Sequence, residues 1–260
     1  GDRIVALDGE PASSDAVRRH ISGSVGFLLK AERAGAAGPL EARVARDDFF
    51  FPPNFGFYDR RTRTAFLRLG LFFEGSAEAA LAGLDAMRRV GAVNVLFDLR
   101  NNPGGVPAEA AEVLKAFAPK AGPVLEIRSR HKGYCALYEA AGKGRFSGLR
   151  TAALVDSGTS MAAEVFARSL KELSGAVLVG EAGAGSVSLV RSFSLGDGRG
   201  LELTVARLLP PSGLDLEGKG AAPDLGAAGP VSGRVWEDSR ETTLLGDGAY
   251  AAAAGLFASN

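Results

Sequence analysis

The sequence predicts an α/β protein with a mainly parallel sheet and helices on its faces. Strand and helix patterns alternate through the middle of the chain, the order typical of βαβ units. Two strand patterns, at 92–99 and 176–180, are short apolar runs rich in β-branched residues, as expected of strands covered on both faces. A helix predicted at 76–90 carries apolar side chains at helical spacing.

Residues 1–46 are predicted to form a small module of their own. Asp8-Gly9 is a dipeptide that favours a tight turn between strands. Short polar side chains at 13–15 predict a helix N-terminus, because their oxygens accept hydrogen bonds from the first backbone N–H groups. The predicted elements are a strand at 3–7, a helix from 13–15 to about Ile21, and strands at 26–32 and 40–45.

Residues 47–64 are predicted to be an irregular connector. Phe49, Phe50 and Phe51 are followed by paired prolines, which exclude a regular helix there. We attribute the phenylalanine cluster to packing between domains, and a groove for an extended peptide is the alternative.

The main domain is predicted at 65–225, followed by a tail at 226–260. Gly196-Asp197-Gly198 is the strongest local hairpin signal. The predicted elements of the domain are strands at 65–71, 92–99, 123–128, 151–155 and 176–180, helices at 76–90 (capped by Ser76), 108–117 and 160–173, and a hairpin of 187–195 with 201–209. The tail is rich in Gly and Ala, with one possible helix at 249–257.

Composition excludes several function classes. The 260 residues include 46% hydrophobic and 23% charged residues, which is typical of a globular protein. Thirty basic residues balance thirty acidic ones, so no net field favours nucleic acid or an anionic membrane. A single cysteine, Cys135, excludes an internal disulfide and a cysteine-based zinc site. No apolar run is long enough for a transmembrane helix.

Four segments, in the same order along the chain, resemble the C-terminal processing peptidases, also called tail-specific proteases. Together they span most of residues 1–225. The segments are GDRIVALDGEP at 1–11, LFDLRNNPGG at 96–105, LVDSGTSMAAE at 154–164, and a closing set made of LTVAR at 203–207, PSG at 211–213, GKG at 218–220 and PD at 223–224.

The resemblance implies a ClpP/crotonase-like peptidase core preceded by a partial PDZ-like module at 1–46. PDZ domains bind extended peptides by adding a strand at a sheet edge. The PDZ loop that would hold a substrate's terminal carboxylate is expected before residue 1, so the chain is expected to start within the module. The resemblance further implies an oxyanion hole at Gly104 and Gly105, where a backbone N–H stabilises charge on the scissile carbonyl.

The family uses a serine nucleophile and a lysine general base, and neither residue is in its place here. Counted from the helix glutamate that Glu164 matches, the nucleophile position holds Met161 and Ser160 lies one residue early. The run from Gly180 keeps the family's separation from Glu164, and it places Ser186 where the lysine belongs. A thioether has no proton to lose, and a serine without a base is a weak nucleophile.

Three alternatives would restore catalysis. A shift of one residue would make Ser160 the nucleophile, with Lys219, His131 or another lysine of the chain as base. His20 or His131 could serve a different mechanism, although a surface or hydrogen-bonded role is the simpler interpretation of both. Gly-Thr-Ser-Met-Ala at 158–162 matches the subtilase nucleophile segment, but the chain lacks a His-Gly-Thr-His run and has the wrong order of elements.

Other polar groups give no sign of a cofactor. Glu109, Glu112 and Glu139 are interpreted as residues of solvated helix faces. The glycine-rich run at 183–186 lacks the lysine of a phosphate-binding loop and opens no clear helix. We therefore expect neither a cofactor nor a metal ion.

Two functions remain as hypotheses. The first is a serine endopeptidase that cleaves C-terminal segments of proteins, with Ser160 as a shifted nucleophile. The second is a pseudopeptidase that binds the C-terminal tails of peptides in the cleft where active members of the family cleave their substrates. In both, the partners are protein or peptide C-terminal segments and not nucleic acid. The resemblance also implies the periplasm or cell envelope of a bacterium, while the sequence leaves the oligomeric state open.

Overall fold

A computed structural model gives the protein as two compact units, Gly1–Phe51 and Pro52–Asn260. Seven stretches of the chain are described, namely residues 3–22, 26–33, 35–36, 38–44, 54–196, 199–227 and 247–258. The phenylalanine cluster at 49–51 lies outside the described residues.

The first unit contains a four-stranded antiparallel sheet and one helix. Its strand order is β2-β1-β3-β4. The Ala16 N–H donates to Ser13 Oγ at 3.1 Å, which confirms the predicted helix start. The elements are β1 (Arg3–Leu7), β2 (Glu10–Pro11), α1 (Ser14–Ser22), β3 (Phe27–Glu32) and β4 (Leu40–Val44).

The second unit is built on a six-stranded sheet with the order β14-β11-β10-β7-β6-β5. Five strands are parallel, and β5 pairs antiparallel with β6 at one edge. The strands are β5 (Asn54–Asp59), β6 (Thr64–Leu69), β7 (Asn94–Asp98), β10 (Arg150–Val155), β11 (Val177–Gly180) and β14 (Leu225–Gly226). The mainly parallel sheet predicted from the sequence is confirmed.

A smaller antiparallel sheet has the order β12-β13-β8-β9. It consists of β8 (Gly122–Arg128), β9 (Ala136–Ala140), β12 (Ser188–Gly196) and β13 (Arg199–Leu209). Strands β12 and β13 form the predicted hairpin, and Asp197 and Gly198 lie outside the described residues.

Helices cover both faces of the six-stranded sheet. The helices are α2 (Ser76–Arg89), α3 (Pro107–Lys115), α4 (Met161–Ser174) and α5 (Gly248–Ala258). Side chains of β7 alternate between the faces: Phe97 joins the main core with α2, α3 and α4, and Leu96 joins the core formed with α5. The tail helix predicted at 249–257 is therefore α5, and it buries the second face of the sheet. No helix of the described stretches is long and apolar enough to cross a membrane.

Four local predictions were wrong. Residues 54–59, expected within an irregular connector, form β5, and Glu139, interpreted as a helix-face residue, lies in strand β9. Ser76 is the first helical residue of α2, and Gly75 is its N-cap. Glu109, interpreted as a solvated residue, instead accepts hydrogen bonds from the Gly75 and Ala77 N–H groups at 3.1 and 2.8 Å, so a side chain of α3 satisfies the start of α2.

Candidate functional site

Two turns meet at the carboxyl edge of the parallel sheet, one after β7 and one after β10. Because these strands are parallel neighbours, their carboxyl ends lie side by side. The Asn101 N–H donates to Asp156 Oδ1 at 2.9 Å, and the Ser160 N–H donates to the Asn102 carbonyl at 3.0 Å. The two segments that carry the family resemblance are thus bonded directly to each other.

The side chain of Thr159 holds the turn after β10 in place. Its fully buried hydroxyl donates to the Leu99 carbonyl at 2.9 Å and accepts from the Asp156 N–H at 3.0 Å. Asp156 Oδ1 also accepts from the Gly158 N–H at 3.0 Å. These bonds fix the path of the chain into α4.

The chain bends sharply between Ser160 and Met161. Ser160 is extended, with φ −143°, and Met161 opens α4 with φ +51°. The left-handed region is sterically unfavourable for a residue as large as Met, with a cost of about 1–3 kcal/mol when the surroundings enforce it. The strained residue of this elbow is therefore Met161.

The elbow brings three of the predicted site residues together. The Met161 N–H donates to the Ser186 carbonyl at 2.8 Å. A Cβ atom placed on Gly104 would lie 2.4 Å from Met161 Cβ, and Gly104 itself has φ +106°. Only glycine fits at 104, both because of its backbone angle and because Met161 fills the space beside it.

The N–H groups of the two candidate oxyanion-hole glycines differ. The Gly104 N–H donates to Asn102 Oδ1 at 2.8 Å, whereas the Gly105 N–H makes no hydrogen bond within the described part of the chain. The flanking backbone is paired, since the Phe72 N–H donates to the Gly104 carbonyl and the Val106 N–H donates to the Phe72 carbonyl. A backbone donor is therefore available at the exposed Gly105, the residue after Gly104.

Ser160 has no general base in the described stretches. Its hydroxyl makes no hydrogen bond there, not even as a helix cap. His131 Nδ1 accepts from the Gly133 N–H, and the exposed Lys219 makes no side-chain bond to Ser160 within the described residues. His20 belongs to the first unit, where its Nδ1 donates to the Ala16 carbonyl at 2.8 Å.

Hydrogen bonds to the Glu164 side chain join two loops to the start of α4. Its carboxylate is fully buried and accepts from the N–H groups of Gly185, Ser186 and Ala221 at 3.0, 3.2 and 2.8 Å. Burial raises the pKa of Glu164 above its ordinary value, and the three donors oppose that rise. From the sequence, Glu164 could be used only to align the motif. The neighbouring residues do not indicate which backbone N–H groups donate to its carboxylate.

A buried charged cluster lies behind the turn after β7. Asp98 Oδ2 accepts from Arg68 Nη1 and from Arg100 Nη2, both at 2.8 Å, and Arg100 Nη1 reaches Asp247 Oδ2 at 2.5 Å. Asp247 Oδ1 in turn accepts from the first N–H groups of α5. Burial alone would raise the pKa of Asp98, but the hydrogen bonds and charges of the two arginines hold it below its ordinary value.

The described residues contain no group of three side chains suited to a metal ion. The arrangement that they do contain is an α/β scaffold with a strand–elbow–helix unit and an available backbone N–H beside it. That combination defines the class as a peptidase-type scaffold.

Comparison with known proteins places this scaffold in a family. The profile of peptidase family S41 matches residues 63–227. The carboxy-terminal processing protease CtpA of Bacillus subtilis (strain 168) is 28% identical over 255 residues, which are 95% of this chain and 53% of that protein. The chloroplastic C-terminal processing peptidase of Tetradesmus obliquus is 29% identical over 165 residues, 64% of this chain and 35% of that protein.

A solved structure shares the fold. The photosystem II D1 C-terminal processing protease superposes with a TM-score of 0.68 at 23% identity, covering 92% of this chain and 68% of that one. The chain belongs to peptidase family S41. It spans about half the length of CtpA and a smaller share of the Tetradesmus relative.

Proposed function

We propose that this chain is a non-catalytic member of its family that holds peptide C-terminal segments in the cleft beside the elbow. The observation that carries the proposal is the strained backbone of Met161, which marks 161 as the position where the elbow presents a side chain. Its bond to Ser186 supports the alignment in which both positions of the serine–lysine pair are substituted. Without a hydroxyl and a base there, the cleft lacks an activated nucleophile.

Binding needs less than catalysis. The Gly105 N–H, on an exposed residue, suits a peptide carbonyl or carboxylate, because backbone donors at a turn attract anionic oxygens. The PDZ-like character of the first unit, its use in peptide capture, and a location in the periplasm or cell envelope are further parts of the proposal. They rest on the resemblance to tail-specific proteases.

The alternative is a serine endopeptidase with Ser160 as a shifted nucleophile. Its support is that Ser160 lies directly before the elbow and is only half-buried. It needs a base to approach Ser160 Oγ within about 2.6–3.2 Å when substrate binds.

Labelling with a fluorophosphonate probe separates these functions. We expect no labelling of the wild-type protein, and labelling that disappears in Ser160→Ala would overturn the non-catalytic proposal. The double variant Met161→Ser, Ser186→Lys places the family's pair on the same scaffold and serves as the control for probe access to the cleft.

Peptide binding is measured in parallel by fluorescence anisotropy with a labelled peptide that ends in a free carboxylate. Ser186→Trp places a large ring on an exposed residue bonded to Met161, so we expect at least a tenfold weaker affinity. Lys143→Trp adds the same ring on an exposed loop and is the matched control. Equal affinities in the two variants would exclude binding beside the elbow.

A further inference from the structure

A cationic groove lies on the small sheet, in a cavity of about 730 Å³. Strand β8 and the chain that follows it form one wall, and β13 with the loop after it forms the other. We call it the arginine groove after three of its lining residues, Arg128, Arg130 and Arg207. All of its residues belong to the second unit.

The arginine groove has an excess of positive charge in a chain whose total charge is zero. Arg128 is paired with Glu126 and Arg207 with Asp215, but the exposed Arg130 makes no ion pair with any described residue. A fourth arginine, Arg191, borders the groove. Among the described residues, two of these four arginines are paired with carboxylates and the other two make no ion pair, which leaves an excess of positive charge.

Arg191 reaches the groove through Tyr134, which lines it. Its Nη1 donates to the Tyr134 hydroxyl at 2.9 Å, and its guanidinium lies over the Tyr134 ring at 5.6 Å from the centroid. The aromatic ring and the charge together make a surface that is apolar and cationic at once.

One edge of β13 is open along the groove. Strand β8 pairs with β13 only at Arg207, Leu208 and Leu209. From 199 to 206, the described pairing of β13 is with β12 alone, on its other side. Ser129 Oγ caps a single carbonyl of that edge, at Val205. An unpaired strand edge is a template for an extended peptide.

The hairpin carries apolar side chains on the same face as Arg191. Leu203 lies directly opposite Arg191, and Leu201 lies opposite Phe193, so all four side chains share one face of the two strands. Leu201 and Leu203 are 41% and 47% exposed. Apolar side chains at every second position fit the alternating side chains of an added strand.

From these features we propose that the arginine groove binds an extended acidic peptide, which adds to the open edge of β13 and places its carboxylates against Arg130 and its neighbours. Charge complementarity selects acidic residues, and the free backbone edge selects an extended chain over a small anion. A second copy of this chain that pairs edge to edge, and free phosphate, are the competing occupants.

The arginine groove shares no residue with the elbow, because none of Gly104, Gly105, Ser160, Met161 or Ser186 lines it. The test of the arginine groove and the test of the proposed function are therefore independent. Ser186→Trp should leave binding in the arginine groove unchanged, and the groove variants should leave fluorophosphonate labelling unchanged.

The test uses fluorescence anisotropy with a labelled hexapeptide of alternating Glu and Val, amidated at its C-terminus. A matched Lys–Val hexapeptide reports the sign of the charge. We expect the acidic peptide to bind at least tenfold more tightly than the basic one, and to weaken as salt rises because part of the attraction is screened. Equal affinity of the two peptides overturns the proposal.

Arg130→Glu locates the site. Within the described stretches Arg130 makes no ion pair that the substitution would break, so we expect about a tenfold loss of affinity for the acidic peptide with unchanged circular dichroism. Lys120→Glu is the matched control, since this exposed residue precedes the opposite end of β8. Equal losses in both variants would mean that the peptide responds only to total charge, and the groove would be excluded.

Two further probes distinguish the competing occupants. The same acidic peptide with every backbone amide N-methylated has no N–H to donate to a strand edge, so we expect it to bind at least tenfold more weakly; equal binding overturns strand addition. Inorganic phosphate should compete only weakly, and full displacement by phosphate at peptide-like concentrations overturns the peptide. Dimers in sedimentation that Arg130→Glu abolishes would assign the groove to a second copy.

Discussion

The buried polar residues that support the elbow, called the frame below, differ in chemistry from the two predicted reactive positions, Met161 and Ser186. In the frame, buried polar groups are densely bonded: Glu164 accepts three backbone hydrogen bonds, and Asp98 is shared between two arginines. At the reactive positions, Met161 offers a thioether and Ser186 a hydroxyl that is exposed to solvent. Both regions lie at the same edge of the sheet.

The difference teaches that the shape of this site does not depend on the groups that perform the family's chemistry. The elbow is bent by bonds from Thr159, Asp156 and the Ser186 carbonyl, all of which are independent of the side chain at 161. The elbow therefore keeps its shape whichever side chains stand at the predicted reactive positions, 161 and 186. Predictions for the two regions should differ most in folding stability.

The largest loss is expected for Asp98→Asn. The amide removes the charge that Asp98 places beside the buried Arg68 and Arg100, and breaking a buried pair costs roughly 3–5 kcal/mol. Urea unfolding measures the free energy of unfolding. Glu112→Gln, which breaks an exposed pair with Lys115, is the control and should cost less than about 0.5 kcal/mol.

A smaller loss is expected for Glu164→Gln. The amide keeps one oxygen for the loops but turns an N–H donor toward one of the three backbone donors, so we expect a loss of about 1–3 kcal/mol. Hydrogen exchange at Gly185 and Ala221 should rise with it. Unchanged exchange at both residues would show that Glu164 does not hold these loops.

Stability should respond to pH with opposite signs in two parts of the frame. The pKa of Asp98 is lowered below 3.8, so its contribution is present above that pH and is lost as the pH falls through the lowered pKa. The pKa of Glu164 is raised above 4.5, so its contribution is present below that pH and is lost as the pH rises through the raised pKa.

The measurement is the urea midpoint as a function of pH, compared between wild type and Glu164→Gln. Above pH 4.5 the variant should lack the part of the decline that comes from Glu164. An identical slope in both proteins would contradict the assignment of that decline to this carboxyl group.

The smallest effect is expected at the reactive positions themselves. Ser186→Lys changes an exposed side chain, and such changes usually stay within about 0.5 kcal/mol. A loss of unfolding free energy comparable to that of Asp98→Asn would show that the reactive positions contribute to stability as much as the frame does. The same urea measurement decides the matter.

The central strands and their helices could be predicted because their apolar periodicity is local. Strands β7 and β10 and helix α4 were predicted in the right places from runs of buried residues. Strands β5 and β9 were missed because edge strands are only partly buried and their patterns are weak. Helix α5 was predicted, but its place on the second face of the sheet was not.

The sequence by itself determined the family resemblance, and it predicts the two substitutions, because motif order and residue spacing are properties of the chain alone. Only the tertiary structure decided that Met161 takes the left-handed backbone beside Gly104, and that Arg100 meets Asp247, a residue 147 positions away. The physical reason is that strain and buried pairing depend on atoms that folding brings together from distant parts of the chain.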